Sequence, residues 1–438
     1  MLTLLRKLIP ETGFIRLAYH KLKGILANLI YLNPSRKMIV IGVTGTDGKT
    51  TTSNLLASFF TELGYKVGMS STVCYRILDE THLNLNKMTT DSPFKLQKLI
   101  KKMKKSGVEL LVLEVSSHSV LQNRIWGINF DIAVLTNITE DHIEYHGSME
   151  EYYMTKYKFL ASLHSMRRKS GLSKTVVLNS DDQFFNVFSK IKADNIYNYG
   201  LQSKKAIVKA TDVYCDNKSL SFSLRAPNIK IDVKNSMVGE FNVYNLLAVA
   251  SCGLALGANQ KEIQKALNAL EPVKGRMQII DCGQDYTVVS DYAHAVNALT
   301  NVCSVFKPLT KGKLTIVFGC TGGGRDKRKR PEMGAVASKF ADRIILTSDD
   351  PYEEDPYNII QDIKKGISGF DSESLHEIID RRKALEFAIS KAQKGDTVLV
   401  AGKGGEKVTI INGQKLPFDE EAILREIISK QEFDDVTY

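Results

Sequence analysis

Short apolar runs alternate with longer amphipathic stretches along most of this 438-residue chain. Residues 38–44, 110–115, 131–136 and 175–179 are apolar nearly throughout and predict strands buried on both faces. The stretches between them have helical spacing. Together they predict a mostly parallel sheet covered by helices on both sides. Residues 204–234 instead alternate polar and apolar positions around Asn217 and Pro227, which predicts antiparallel strands added at the sheet's edge. From Gly275 a second α/β pattern begins, with strands predicted at 286–291, 314–319, 343–347 and 397–401. The loops after them are rich in Gly or Asp, and ligands of open α/β sheets bind at such carboxyl ends. Residues 1–36 stand apart. Leu22, Ile25, Leu26, Leu29 and Ile30 keep helical spacing, Pro10 splits off the first turns, and Arg6, Lys7, Arg16, Lys21 and Lys23 make the segment basic. The predicted class is therefore α/β: a short helical N-terminal arm (1–36), a P-loop-type central sheet domain (37–272) and a Rossmann-like α/β C-terminal domain (273–438).

Composition narrows the partners. Hydrophobic residues make up 43% and charged residues 25%, as in ordinary globular proteins. No apolar run reaches the length of a membrane span, and the first ten residues are too short for a signal peptide. Six cysteines without a C-x-x-C pair argue against a zinc ribbon or a disulfide framework and suit a reducing cytoplasm. The formal charge of +10 comes from clusters at 101–105, 167–169 and 325–330. No aromatic-interleaved basic stripe accompanies them, so small anions and solvated faces are preferred to nucleic acid. The basic amphipathic arm predicts packing on the domain behind it, with contact to a membrane surface as the sharper alternative. A monomer is expected.

Candidate chemistry sits where the first strand ends. Gly45-Thr46-Asp47-Gly48-Lys49-Thr50-Thr51 joins that strand to a predicted helix beginning near Asn54. Glycines let the backbone amides turn toward a polyphosphate, and the helix start adds partial positive charge. Lys49 suits the β/γ-phosphates and Thr50 suits Mg²⁺. The common P-loop spacing would want Gly at 43, where this chain has Val43. Glu114 ends a second strand, a good place for a carboxylate that ligates Mg²⁺. His142 and His146 share residues 137–147 with Glu140, Asp141 and Glu144. That loop suits zinc by composition, and next to ATP chemistry it suits magnesium, with His142 the ligand and His146 a supporting group.

These motifs, with Glu114-Val115-Ser116-Ser117-His118, resemble the Mur ligases. Further matches are Gly239 to Asn245, Gly275-Arg276-Met277, Asp291-Tyr292-Ala293-His294, the 318–331 segment and Ala401-Gly402-Lys403-Gly404. They run in family order to the end of the chain. The resemblance implies ATP-driven amide formation in peptidoglycan precursor synthesis. A substrate carboxylate takes the γ-phosphate, and the amine of an incoming amino acid displaces it from the acyl phosphate. It also implies two Mg²⁺ ions, held by Thr50, Glu114, His142 and a carbamylated Lys156. Nucleotide contacts are implied for Asn242, Asn245, Arg276, Asp291 and His294, with ATP bound by both domains and closure needed for reaction. Thr89, Thr90 and Ser116 fall at the acceptor, a helix N-cap being the other role open to the Thr pair.

Three departures from the family pattern change what is expected. Only residues 1–36 precede the ATP strand, where the family has a domain that grips UDP. A UDP-linked acceptor would then be held differently, and a lipid-linked glycopeptide would suit the basic arm. In Asp349-Asp350-Pro351-Tyr352, Tyr352 stands where diaminopimelate-adding members have Arg. A phenol cannot replace that bidentate pair, which disfavours diaminopimelate. Gly404-Gly405-Glu406 lacks the family's His, leaving Arg382 and Glu406 as candidates beside the incoming amino acid. Competing readings are a cyanophycin-type or folylpolyglutamate-type ligase, a ligase-like amidating subunit, or a nucleotide-binding scaffold without catalysis.

Overall fold

A computed structural model describes residues 13–84, 88–324 and 326–434. The predicted break at Pro10 lies outside the described residues. The chain divides into two compact units that meet in sequence at Glu271 and Pro272.

The first unit is built on an eleven-stranded sheet. Its centre is Ile39–Thr44, parallel to Leu110–Glu114 on one side and Ile132–Leu135 on the other. Thr175–Asn179 and Asn195–Gly200 extend it one way, and Val67–Ser70 the other, all parallel. Ile39–Thr44, Leu110–Glu114, Ile132–Leu135 and Thr175–Asn179 are apolar at nearly every position because helices cover both faces, leaving no polar side to the alternation. Antiparallel strands finish both edges. Cys74–Ile77 and Glu80–Leu83 close one side. Val208–Cys215, Leu220–Ala226 and Ile229–Asn235 close the other and bury alternate residues, as their sequence pattern predicts. At the base of the sheet, buried Asp131 accepts from Lys174 Nζ at 3.0 Å, from Lys169 Nζ at 2.5 Å and from the Val40 amide at 2.9 Å. Two cations and an amide offset the desolvation of that carboxylate. The helix Phe14–Tyr31 packs against the helix Pro93–Lys105 of the same unit.

The second unit has a six-stranded sheet in the order Gln278–Ile279, Thr287–Asp291, Thr397–Ala401, Leu314–Phe318, Arg343–Leu346 and Leu375–Glu377. All neighbours are parallel except the first pair. A hairpin of Val408–Ile411 and Gln414–Pro417 lies outside it. Among the described residues, no helix is long and apolar enough to cross a membrane.

Candidate active site

In the first unit the glycine loop turns at the carboxyl end of the central strand. Gly45 has φ +149°, and a Cβ there would lie 1.8 Å from Thr136 Oγ1; the loop packs too tightly for any side chain. Three contacts hold it. The Thr46 amide donates to Asn137 O at 2.9 Å, the Asp47 amide to Asn137 Oδ1 at 2.8 Å, and Thr136 Oγ1 to Asp47 O at 2.6 Å. Gly48 heads the helix Lys49–Glu62, which has no capping side chain. A helix start of that kind offers amide donors and partial positive charge to an anion. Lys49 folds back over the loop, its Nζ donating to Thr46 O at 2.5 Å, while Thr51 is half-buried in the first turn.

Thr50 and Glu114 meet directly, with Thr50 Oγ1 donating to Glu114 Oε1 at 2.9 Å. Thr72 adds its hydroxyl at 3.1 Å and its amide at 2.8 Å to the same carboxylate. Glu114 is 2% exposed, and among the described residues no cation pairs with it. A buried carboxylate furnished only with hydroxyl and amide donors lacks the charge partner such a group needs. Its donor set suits a hard divalent cation such as magnesium.

The histidine-bearing segment comes close to the same loop. Thr46 Oγ1 bonds Thr139 O at 3.1 Å and the Tyr152 hydroxyl at 3.0 Å. His142 has φ +54° and turns toward Asp141, 3.3 Å away, and Glu144, 3.8 Å away. Its ring meets that of His118 at 4.8 Å between centroids. His146 Nε2 lies 3.0 Å from Ser117 Oγ. Burial first, then the neighbouring rings, pushes His118 down to about 3; burial and the Lys156 charge push His146 down to about 4. Both imidazoles are therefore neutral at pH 7 and available as acceptors. His142 does not touch Thr50 or Glu114, and no group of three or more His, Cys, Asp or Glu stands in metal-binding array among the described residues.

Lys156 is 1% exposed. Its Nζ donates to Gly45 O at 2.7 Å and lies 4.4 Å from the centre of the Tyr152 ring. Burial, reinforced by the Lys49 charge, holds its amine well below the usual lysine range. Asn245 accepts from Thr52 Oγ1 at 3.0 Å and donates to Asn242 Oδ1 at 2.9 Å, beside Gly48. Thr90 Oγ1 donates to Glu114 O at 2.9 Å, and Thr89 accepts from Thr72 at 3.0 Å. The neighbouring helix N-cap falls to Ser92, with Pro93 behind it, and Ser116 caps its own short helix through Ser119. Thr72, Tyr152 and Asn137 carry contacts that no spacing rule singles out. Tyr152 reaches the loop from the helix Met149–Ser162 and Asn137 from the turn after Ile132–Leu135, while Thr72, just after Val67–Ser70, reaches Glu114; only the fold brings them there.

In the second unit Asp291 is buried and accepts from the Met277 amide at 2.7 Å and the Ala293 amide at 2.8 Å. Arg276 lies over the Tyr292 ring at 4.6 Å. His294 is exposed, with Nδ1 2.9 Å from Tyr292 O. Asp349 and Asp350 are buried beside Lys403, whose Nζ bonds Asp350 Oδ1 and lies 3.4 Å from Asp349 and 3.8 Å from Glu406. Tyr352 has φ +54° and sits against Gly323. Arg382 does not join this cluster. It forms exposed pairs with Glu386 at 3.1 Å and Glu426 at 2.8 Å. Its neighbour Arg381 is the inward guanidinium, bonded to Glu420 at 2.7 Å and to Ala401 O at 3.0 Å.

A phosphate-type loop, a strand-end carboxylate and a buried lysine on an α/β sheet define a nucleotide-dependent phosphoryl- or acyl-activating enzyme. The comparisons with known proteins narrow that class. The Mur ligase middle domain matches residues 43–253, and the Mur ligase glutamate ligase domain matches 275–404. A UDP-N-acetylmuramoyl-L-alanyl-D-glutamate–2,6-diaminopimelate ligase of Geobacillus kaustophilus is 39% identical over 408 residues, which is 93% of this chain and 82% of that protein. The Bacteroides fragilis protein of the same name is 39% identical over 409 residues, 93% of this chain and 81% of its own. A solved structure of a ligase of that name superposes with TM-score 0.65 at 32% identity, covering 95% of this chain and 83% of that one. The chain belongs to the Mur ligase family, whose members are ATP-dependent amide ligases.

Proposed function

We propose that this chain uses ATP to join an amino acid to the terminal carboxylate of a muramyl-peptide acceptor, in the synthesis of peptidoglycan precursors. The observation that carries the reading is the convergence of Lys49, the Thr50–Glu114 pair and buried Lys156 on one glycine loop. An acceptor carboxylate oxygen takes the γ-phosphoryl group and ADP leaves. The amino-acid nitrogen then adds to the acyl carbon, loses a proton, and expels phosphate. Two anions must meet in the first step, so positive charge has to stand between them. Lys49 and the amides heading the helix Lys49–Glu62 supply it from the protein. Magnesium, when bound, adds Lewis-acid charge to the phosphates; Thr50 and Glu114 would hold one ion, and His142 with Lys156 a second.

Lys156 is assigned as the carbamate. A neutral amine can add to CO2 with loss of one proton, whereas an ammonium cannot, and burial lowers this amine's pKa and so favours the neutral form. Asn242 and Asn245 are assigned to the nucleotide, as are Arg276, Asp291 and His294 of the second unit. Thr89, Thr90 and Ser116 are assigned to the acceptor. Asp349, Asp350, Tyr352 and Glu406 are assigned to the incoming amino acid, with Arg381 a stronger candidate than Arg382. The functional domains are assigned as 37–272 and 273–438. Without Arg at 352, diaminopimelate is not the favoured amino acid.

Purified protein given ATP, Mg²⁺, UDP-N-acetylmuramoyl-dipeptide and a panel of amino acids should release phosphate only when acceptor and a preferred amino acid are both present. Tight ATP binding with no turnover on any combination would replace the ligase by a nucleotide-binding scaffold.

A further inference from the structure

The helix Phe14–Tyr31 is amphipathic in the opposite sense from a helix that merely covers a core. Its buried residues are Gly24 and Ala27. Most of its large apolar residues face water, with Leu17 and Ile25 half-buried: Ile15 is 68% exposed, Leu22 53%, Leu26 43% and Leu29 61%. At about 100° per residue these four and Ala18 fall on one arc. Lys21 borders that arc on one side, and Lys23 and Arg16 border it on the other. The helix cannot roll this arc inward, because a Cβ at Gly24 would stand 2.7 Å from Asn123 O and 2.8 Å from Trp126 Cβ. Close approach through small residues therefore fixes the apolar side outward.

The charge around this helix has one sign. No acidic residue occurs between Thr12 and Thr46. The helix packed behind it, Pro93–Lys105, ends in exposed Lys102, Lys104 and Lys105. Just beyond the C-terminus of Phe14–Tyr31, Arg36 and Lys37 share an open cavity of about 560 Å³ with Arg167, Arg168, Lys169 and Glu109; Arg168 and Lys169 are paired with Asp194 and Asp131, so the positive excess there rests on Arg36, Lys37 and Arg167. A second copy of this chain would set the same basic borders against each other, with no acid on the helix Phe14–Tyr31 to answer them. An anionic surface would not.

We propose that this helix docks the protein on an anionic phospholipid bilayer, lying in the interface with Ile15, Leu22, Leu26 and Leu29 at the acyl boundary and Lys21 and Lys23 among the headgroups. An apolar arc flanked by lysines is the pattern of helices that lie on a membrane without crossing it. Surface attachment would hold the ligase beside membrane-bound acceptors or consumers of its product, and the proposal stands whether or not the ligase reading does.

The full chain is to be floated with vesicles of phosphatidylcholine alone and with vesicles in which about a third of the lipid is phosphatidylglycerol, enough to give a strongly negative surface. It should rise with the anionic vesicles, rise less as salt is added, and stay down with the neutral ones. The triple variant Leu22→Ser, Leu26→Ser, Leu29→Ser should lose binding by about tenfold or more, as the loss of three inserted leucines requires. Lys21→Glu with Lys23→Glu, which keeps the apolar arc, should lose it too. Circular dichroism and thermal melting of both variants should match the parent, since Lys21 and the three leucines are exposed and Lys23 reaches only the Tyr19 ring on its own helix. No flotation with anionic vesicles overturns the proposal, and so does flotation indifferent to lipid charge or to both variants. A concentration-dependent dimer that the leucine variant dissolves, with no vesicle binding, overturns it in favour of a second copy.

Discussion

Burial moves the chemistry of Lys156 far from that of the free amino acid. Its amine is buried, bonded to Gly45 O, and held well below its ordinary range. The unfolded chain holds this proton more tightly than the folded one, so folding is opposed by this lysine below about pH 10.4 and less so as pH rises toward that value. Lys156→Met should therefore melt higher at pH 7 in bicarbonate-free buffer, by about 1 kcal/mol, because a buried ionisable group gives way to an apolar one of similar length. The same variant should turn over at the blank rate, whereas a structural lysine would leave phosphate release in place. His118 gives a separate residue-scale signature. Its folded value near 3 lies below the ordinary 6.5, so between those values the unfolded chain binds a proton that the folded one does not. Stability must fall as pH drops through 6.5, and the loss levels off only near 3. His118→Gln should flatten that slope, read as urea midpoints at pH 7 and pH 5; an unchanged slope would mean the imidazole is already charged in the folded protein. Lys49, Thr50, Glu114 and Lys156 were legible in the sequence because a phosphate loop and the family motifs mark them. Thr72 and Tyr152 were not, because a lone hydroxyl acquires a role only from what folds against it.

Among elements, the long apolar strands are the ones the chain announces. Thr175–Asn179 and Thr397–Ala401 coincide with their predicted spans, and Ile39–Thr44 and Leu110–Glu114 are each shorter by one residue at an end. Glu80–Leu83, Leu375–Glu377 and the hairpin 408–417 carry no such run. The first two are short, partly polar edge pieces that exist because a neighbour offers an unpaired backbone, and the two strands of the hairpin pair only with each other. The N-terminal helix was legible as an amphipathic element, but which side faces the core was not. That depends on Gly24 and Ala27 meeting Asn123 and Trp126, a tertiary fact that period alone does not contain. The glycine loop shows the opposite case, where sequence and geometry state the same demand. Gly45→Ala puts a carbon where Thr136 Oγ1 already stands, 1.8 Å away, and the backbone must shift. The expected cost is on the order of 2–3 kcal/mol, read as a fall in melting temperature, together with loss of nucleotide binding measured by calorimetry. An Ala variant that melts and binds ATP as the parent does would show that the loop's closeness to Thr136 is dispensable.

At the scale of the whole molecule, the phosphate chemistry and the proposed choice of amino acid lie on different units of the chain. The loop, Glu114 and Lys156 belong to the first, whereas Asp349, Asp350, Tyr352 and Lys403 belong to the second. A change at a residue of the second unit outside the proposed nucleotide set of Arg276, Asp291 and His294 should then alter which amino acid is used without altering how ATP is held. Tyr352 is the informative position. It adopts φ +54°, its amide donates to Ile410 O at 3.1 Å, and its carbonyl accepts from Asn412 at 2.7 Å. Its backbone is thus fixed by the hairpin whatever side chain it bears. Replacing it by arginine supplies a planar fork of donors able to pair both oxygens of a side-chain carboxylate, which a phenol cannot do. Tyr352→Arg should raise kcat/KM for diaminopimelate relative to lysine by about tenfold or more, the worth of one charge-assisted pair, while KM for ATP stays within about twofold. A parallel change in both constants would mean that the substitution disturbs the second unit as a whole. No change in either would place the selecting group elsewhere, with Arg381, already inside the unit and bonded to Glu420, the next side chain to exchange.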